Sequence, residues 1–91
     1  MEIRWSLEAA DDLANVIQHI RKDNPTAALR VARMIYQGIS QLKRFPNLGR
    51  VGRTSGTREL LFPPLPFIAV YRVRENAIEI ARVLHGAQRW P

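Results

Sequence analysis

Apolar residues recur along this chain with two different periods, and the switch between them divides it into helical and extended parts. Met1 to Trp5 alternates apolar and charged residues, the pattern of a short half-buried strand. Ser6 then stands where a helix N-cap is needed, its hydroxyl able to accept from a free N–H of the first turn. Leu7, Ala10, Leu13, Ala14, Ile17 and Ile20 follow at helical spacing and predict one buried stripe. Asp11 and Asp12 lie toward the positive end of that helix dipole, Arg21 and Lys22 toward the negative end. Asp23-Asn24-Pro25 stops the helix and starts another, with Asn24 as N-cap and Pro25 suited to the first helical position. Ala28, Ala32, Ile35, Ile39 and Leu42 form a narrow seam that predicts packing on the first helix. So short a connection implies an antiparallel helical hairpin.

The period changes after Phe45-Pro46. Residues 46–57 contain three of the five glycines and read as an irregular loop. Arg58 to Phe62 is a plausible strand, and Pro63, Pro64 and Pro66 impose a stiff extended connection. Phe67–Arg74 and Ala77–His85 are rich in β-branched residues and predict a hairpin about a turn at Glu75-Asn76. That turn sets Arg74 opposite Ala77, Arg72 opposite Glu79, Val70 opposite Ala81 and Ile68 opposite Val83. Phe67, Ala69, Tyr71 and Val73 then share a helix-packed face with Ile78, Ile80, Arg82 and Leu84. The other face would carry Ile68, Val70, Arg72 and Arg74 beside Glu79, Ala81, Val83 and His85. A slip of one residue inverts both lists. The predicted fold is α+β, in the order β-α-α-β-β-β: an N-terminal strand and αα-hairpin packed on a small, mainly antiparallel sheet, with residues 1–91 as a single domain.

Charge adds a partner to this picture. The net charge is +6, carried by twelve Arg and two Lys. The imbalance is +2 over residues 1–45 and +4 over residues 46–91. Arginine favours planar, bidentate contacts with phosphate or carboxylate, so nucleic acid or an acidic protein segment is the expected partner. A membrane is not expected, because the cations do not line one face of an amphipathic helix. With no cysteine, disulfides and thiolate metal sites are excluded. No signal peptide is visible, and a cytoplasmic location is the expectation. The last ten residues, Arg82 to Pro91, run from an apolar strand into a basic, aromatic, acid-free tail, which predicts a contact surface for a macromolecule.

Candidate chemistry is sparse. His19 and His85 lack second ligands at metal spacing, so no metal is expected. Asp11 and Asp12 point about 100° apart on a helix and read as helix-start charges rather than a carboxylate pair. Ser6, Ser40 and Ser55 have no nucleophile-elbow context. The segment Gly49-Arg-Val-Gly-Arg-Thr lacks the Lys-Ser/Thr signature of a phosphate loop, and no cofactor is expected. Metal-free RNA cleavage is the serious enzymatic option, since His85, Arg58, Arg72 and Arg82 could supply a proton carrier and cations. Two of these also have a plain structural reading: Arg72 as a cross-strand partner of Glu79, His85 as a sheet-end residue that caps a carbonyl or helps bind a partner. Lys43, Arg44, Arg50, Arg53 and Arg58 form an acid-free basic run that is either a solvated loop or a phosphate contact.

These residues resemble the RelE/ParE superfamily of bacterial type II toxins, also known as plasmid stabilisation proteins. The resemblance spans nearly the whole chain: the opening strand and αα-hairpin, Gly-Arg-Val-Gly-Arg (49–53), Thr57-Arg58-Glu59-Leu60, and the strand pair Pro66–Val73 and Ile78–Ala87. The ending Leu-His-Gly-Ala-x-x-Trp-Pro is its most specific part. It implies the α+β toxin fold and neutralisation by a cognate antitoxin in a hetero-oligomer, with operator DNA reached only indirectly through the antitoxin. RelE-like members cut mRNA on the ribosome with a basic cluster; the position of one of its arginines is Ile68 here, and no Tyr follows His85. ParE-like members instead poison DNA gyrase by binding. The departures favour the ParE-like function, with Arg50, Arg53, Arg58, His85, Arg89 and Trp90 as target-binding residues and no catalytic residue. The alternative is a ribosome-dependent mRNA endoribonuclease using His85, Arg58, Arg72 and Arg82.

Overall fold

Asn24 shows how few residues suffice to build the helical hairpin. Its backbone N–H donates to Ile20 O at 2.9 Å and closes the first helix, while its side chain accepts from Ala27 N at 3.0 Å and opens the second. The computed structural model describes residues 1–86. Along them run β1 (Glu2–Trp5), α1 (Leu7–Asp23), α2 (Pro25–Ser40), a 3-10 turn (Gln41–Lys43), β2 (Arg50–Val51), β3 (Arg58–Leu61), β4 (Phe67–Val73) and β5 (Ala77–His85). Ser6 caps α1 as expected, accepting from Ala9 N at 2.9 Å.

The five strands form one sheet in the order β1-β5-β4-β3-β2. β1 lies parallel to β5, and the other neighbours are antiparallel. The helical hairpin covers one face. Ala9 and Leu13 of α1 and Val31, Ile35 and Ile39 of α2 meet Leu60, Ala69, Tyr71, Ile78, Ile80 and Val83 of the sheet in the core. Burying each of the leucine, isoleucine and valine side chains stabilises the fold by about 1.5–3 kcal/mol.

Three expectations need correction. The buried stripe of α1 is Ala9, Leu13, Val16, Ile17 and Ile20, whereas Leu7, Ala10 and Ala14 are exposed. Leu13, Ile17 and Ile20 keep their expected places, and the stripe is turned slightly about the helix axis toward Ala9 and Val16, a rotation that apolar spacing alone does not fix. Residues 46–57 are not wholly irregular, because Arg50 and Val51 pair with Glu59 and Arg58 as a short edge strand. The third correction concerns the hairpin register. Tyr71, Arg72 and Val73 lie opposite Ile80, Glu79 and Ile78 as the turn dictates, but a β-bulge then skips Ala81. Val70 faces Arg82, not Ala81, and Ile68 faces Leu84, not Val83. Beyond the bulge every β5 side chain changes face. Val83 enters the core, while Arg82 and Leu84 join Ile68 and Val70 on the sheet face away from the helices.

Candidate functional site

That outer face carries a small concavity of about 130 Å3. Ile68, Val70 and Leu84 line it as an apolar floor, and Arg50, Arg53, Glu59, His85 and Gly86 surround them. Strand alternation explains the floor: Ile68 and Val70 are two apart on β4, and Leu84 faces Ile68 across the ladder. The basic rim is delivered by the β2–β3 hairpin. There Arg50 Nε and one terminal nitrogen reach Glu59 Oε1 at 3.0 and 2.9 Å, and Arg53 N donates to Glu59 Oε2 at 3.3 Å. Glu59 therefore holds both arginines' segment in place and neutralises part of its charge. His85 stands at the end of β5 opposite Phe67, so the bulge that turns Leu84 outward carries the His85 ring to the Phe67 side of the sheet, in a T-shaped contact at 5.9 Å, and not to the outer face expected from the sequence. It borders the concavity only at the strand end. The next residue is tied down by Gly86 N donating to Pro66 O at 2.6 Å.

The residues singled out from the sequence separate into groups. Arg50, Arg53 and His85 come together around the concavity. Arg58 lies opposite Tyr71 on the helix side, where its guanidinium donates to Gly49 O at 2.7 Å and Asn47 O at 3.4 Å. It pins the loop leading into β2. Arg72 sits opposite Glu79 in the ladder, and Glu79 also pairs with Arg74 at 3.4 Å. Arg82 reaches Asp12 of α1, with Nε–Oδ2 at 2.7 Å and the second nitrogen on Oδ1 at 3.1 Å. That hydrogen bond holds the Arg82 guanidinium above its ordinary pKa against the opposing effect of burial, with the charges of Asp12 and Glu8 adding to it. Arg89 and Trp90 lie outside the described residues.

Sequence reasoning missed Glu59, Asp12 and Tyr71. Tyr71 is fully buried, and its hydroxyl donates to Pro46 O at 2.7 Å while accepting from Gly49 N at 2.9 Å. Burial raises its pKa, while the Gly49 N–H and the Arg58 charge pull the other way. Among the described residues, no group of three or more His, Asp or Glu could hold a metal ion. No described helix is long and apolar enough to cross a membrane.

A second, larger hollow of about 540 Å3 runs between α2 and β3, lined by Met34, Gly38, Leu48, Leu61, Phe62 and Pro63, among others. It continues along α2 past Leu29, Arg30 and Arg33. Arg50 and Glu59 line both hollows and form the wall between them.

Comparison with known proteins places this geometry. The sequence model described as "ParE toxin of type II toxin-antitoxin system, parDE" matches residues 3–90. A Sinorhizobium fredii protein named "Putative toxin Y4kP" is 40% identical over 89 residues, covering 98% of this chain and 92% of that protein. Among solved structures, a chain of the chromosomal ParDE TA system from P. aeruginosa superposes with a TM-score of 0.86 at 30% identity, covering 93% of this chain and 95% of that one. A mutant of YafQ from E. coli gives a TM-score of 0.63 at 17% identity, covering 94% and 93%. The YoeB dimer of Staphylococcus aureus shares the fold as well, with 0.59 at 17%, covering 90% and 92%.

Proposed function

This chain belongs to the ParE toxin family of type II toxin–antitoxin systems, and from that premise we propose that it acts by binding DNA gyrase and trapping it on DNA. The observation that carries this reading is the apolar floor of the concavity. Phosphoryl chemistry without a metal needs cations and proton carriers converging on one phosphate. Here Ile68, Val70 and Leu84 occupy that centre, Arg58 is engaged by loop carbonyls, and Arg82 is engaged by Asp12. Such a centre offers a phosphoryl group neither cation nor proton carrier, whereas the arginines of the rim are a residue type enriched where proteins bind one another. In this reading Arg50, Arg53 and His85 contact the target, together with Arg89 and Trp90. Arg58 contributes by holding their loop.

The antitoxin is proposed to dock in the larger hollow. An amphipathic acidic segment would place apolar side chains against Leu29, Leu48 and Leu61, each about half exposed, and its carboxylates against Arg30, Arg33 and Arg50. Such a segment, disordered when free, buries a large surface as it folds onto its partner.

The test is gyrase supercoiling and DNA cleavage with increasing amounts of the purified chain. Inhibition with accumulation of cleaved DNA is expected. Arg53→Ala, or deletion of residues 87–91, should weaken inhibition by about tenfold or more, the size of a hot-spot loss, with an unchanged circular dichroism spectrum. Unaffected gyrase in the presence of folded protein would sink the reading and direct attention to ribosome-bound mRNA, with His85→Ala as the next variant.

A further inference from the structure

The bulge that creates the concavity floor is held from the opposite side of the sheet edge. β1 ends at Trp5, paired with Ile80, and Ser6 N makes the last contact of that ladder, to Ile80 O at 3.0 Å. Past this point the first turns of α1 lie beside β5 where a strand would otherwise run. Backbone groups of the bulge turned toward that side need partners, because an unpaired group there would lose a hydrogen bond to water without replacement. Two side chains of α1 and its cap supply them. Ser6 Oγ donates to Ala81 O at 2.9 Å, and Asp12 Oδ2 accepts from Val83 N at 2.9 Å. The same carboxylate takes the Arg82 guanidinium on both oxygens, and Glu8 adds a longer contact to Arg82 at 3.9 Å. Asp12 thus bonds the two residues that follow the skipped Ala81, one through its backbone and one through its side chain.

The arrangement has a consequence for the site. With the bulge in place, Leu84 faces Ile68 and completes the floor. Without it the strand would continue in the register dictated by the turn, which puts Arg82 and Leu84 toward the helices and Val83 outward. A buried-side arginine and an exposed valine would make that register costly, but the carboxylate is what satisfies the bulged one. We infer that Asp12 is a positioning residue for the concavity: it acts through β5, holding the bulged register that seats Leu84 in the floor beneath the basic rim.

The experiment compares Asp12→Ala and Asp12→Asn with the wild-type chain, using isotope-labelled protein for amide spectra and the gyrase assay for function. A core variant remote from the bulge, Ile35→Val, serves as the stability control. In Asp12→Ala, the amide resonances of residues 80–85 and of their ladder partners 68–70 should move, while those of α2 stay in place. Inhibition per folded molecule should fall about tenfold, as expected for losing a charge-assisted hydrogen bond. Asp12→Asn keeps an oxygen that can accept from Val83 N–H and should recover most of that loss. Ile35→Val should lower the melting temperature with inhibition unchanged. The inference is overturned if the β5 resonances of Asp12→Ala match the wild type, or if Ile35→Val loses as much inhibition at equal stability. Should Asp12→Ala not fold, Asp12→Asn decides: wild-type-like resonances at residues 80–85 with inhibition retained support the inference, and inhibition lost while those resonances stay unmoved overturns it. The inhibition arm rests on the gyrase reading, whereas the spectral arm does not. A wild-type chain that leaves gyrase untouched would remove that reading while the spectra still judge Asp12.

Discussion

Tyr71 is the residue through which the core controls the loop that carries the rim arginines. Its ring belongs to the core cluster, and its hydroxyl bridges Pro46 O and Gly49 N. Arg58 adds a second pin on Gly49 O from the neighbouring strand. Tyr71→Phe keeps the ring and strands both loop groups, so it should destabilise the chain by about 1–3 kcal/mol, measurable by urea unfolding. The tyrosine also predicts an alkaline limit. Burial raises its folded pKa above the ordinary value of about 10, so the folded state holds the proton where the unfolded chain releases it. The resulting stability is intact below about pH 10 and is lost as pH rises from there through the folded value. Melting temperatures above pH 10 should therefore fall more steeply for the wild type than for Tyr71→Phe, and parallel curves would refute the linkage. Neither role was legible in the sequence. The loop partners lie 22 and 25 residues away, and no local pattern announces them.

At the scale of elements, α2 and β3 meet at Gly38. A Cβ placed there would come within 2.7 Å of the Phe62 ring, closer than real contacts allow. Gly38→Ala sets a helix-propensity gain of about 1 kcal/mol against an overpacking cost of about 1–3 kcal/mol. The chain should be less stable on balance, with the groove between α2 and β3 splayed. A melting temperature at or above that of the wild type would show that Phe62 yields without cost. The helices themselves were readable because their signals are local: Ser6 and Asn24 cap them, Pro25 begins α2, and the apolar spacing gives their extent. β2 was not readable, since two residues at a sheet edge carry no period. The β5 bulge was hidden for a related reason. Apolar residues fill both faces of β4 and β5, so alternation alone could not show where the register changes.

For the whole molecule, the arrangement offers two surfaces that share one wall, the Arg50–Glu59 pair. If the antitoxin occupies the α2–β3 groove and the target the concavity, variants should separate the two. Leu29 is 54% exposed on α2 and lines only the groove. Leu29→Asp should weaken antitoxin affinity by about tenfold or more, as for a lost apolar anchor facing an acidic partner, while gyrase inhibition persists. Titration calorimetry against the antitoxin, beside the supercoiling assay, checks this, and undiminished affinity would move the docking site elsewhere. By itself the sequence determined the α+β class, the helical hairpin, the Glu75-Asn76 turn and the toxin-family resemblance, because caps, periodicity and short motifs are written in neighbouring residues. It also named Arg50, Arg53 and His85 as candidates, and the fold brings all three to the rim of one concavity. Only the tertiary structure decided what each does. The bulge at Ala81 turns Leu84 into the floor, Asp12 engages Arg82 and Tyr71 holds the arginine loop, all through contacts between residues far apart in the chain. Such contacts depend on sheet register and on which polar groups the fold leaves to be satisfied, and neither exists until the chain is packed.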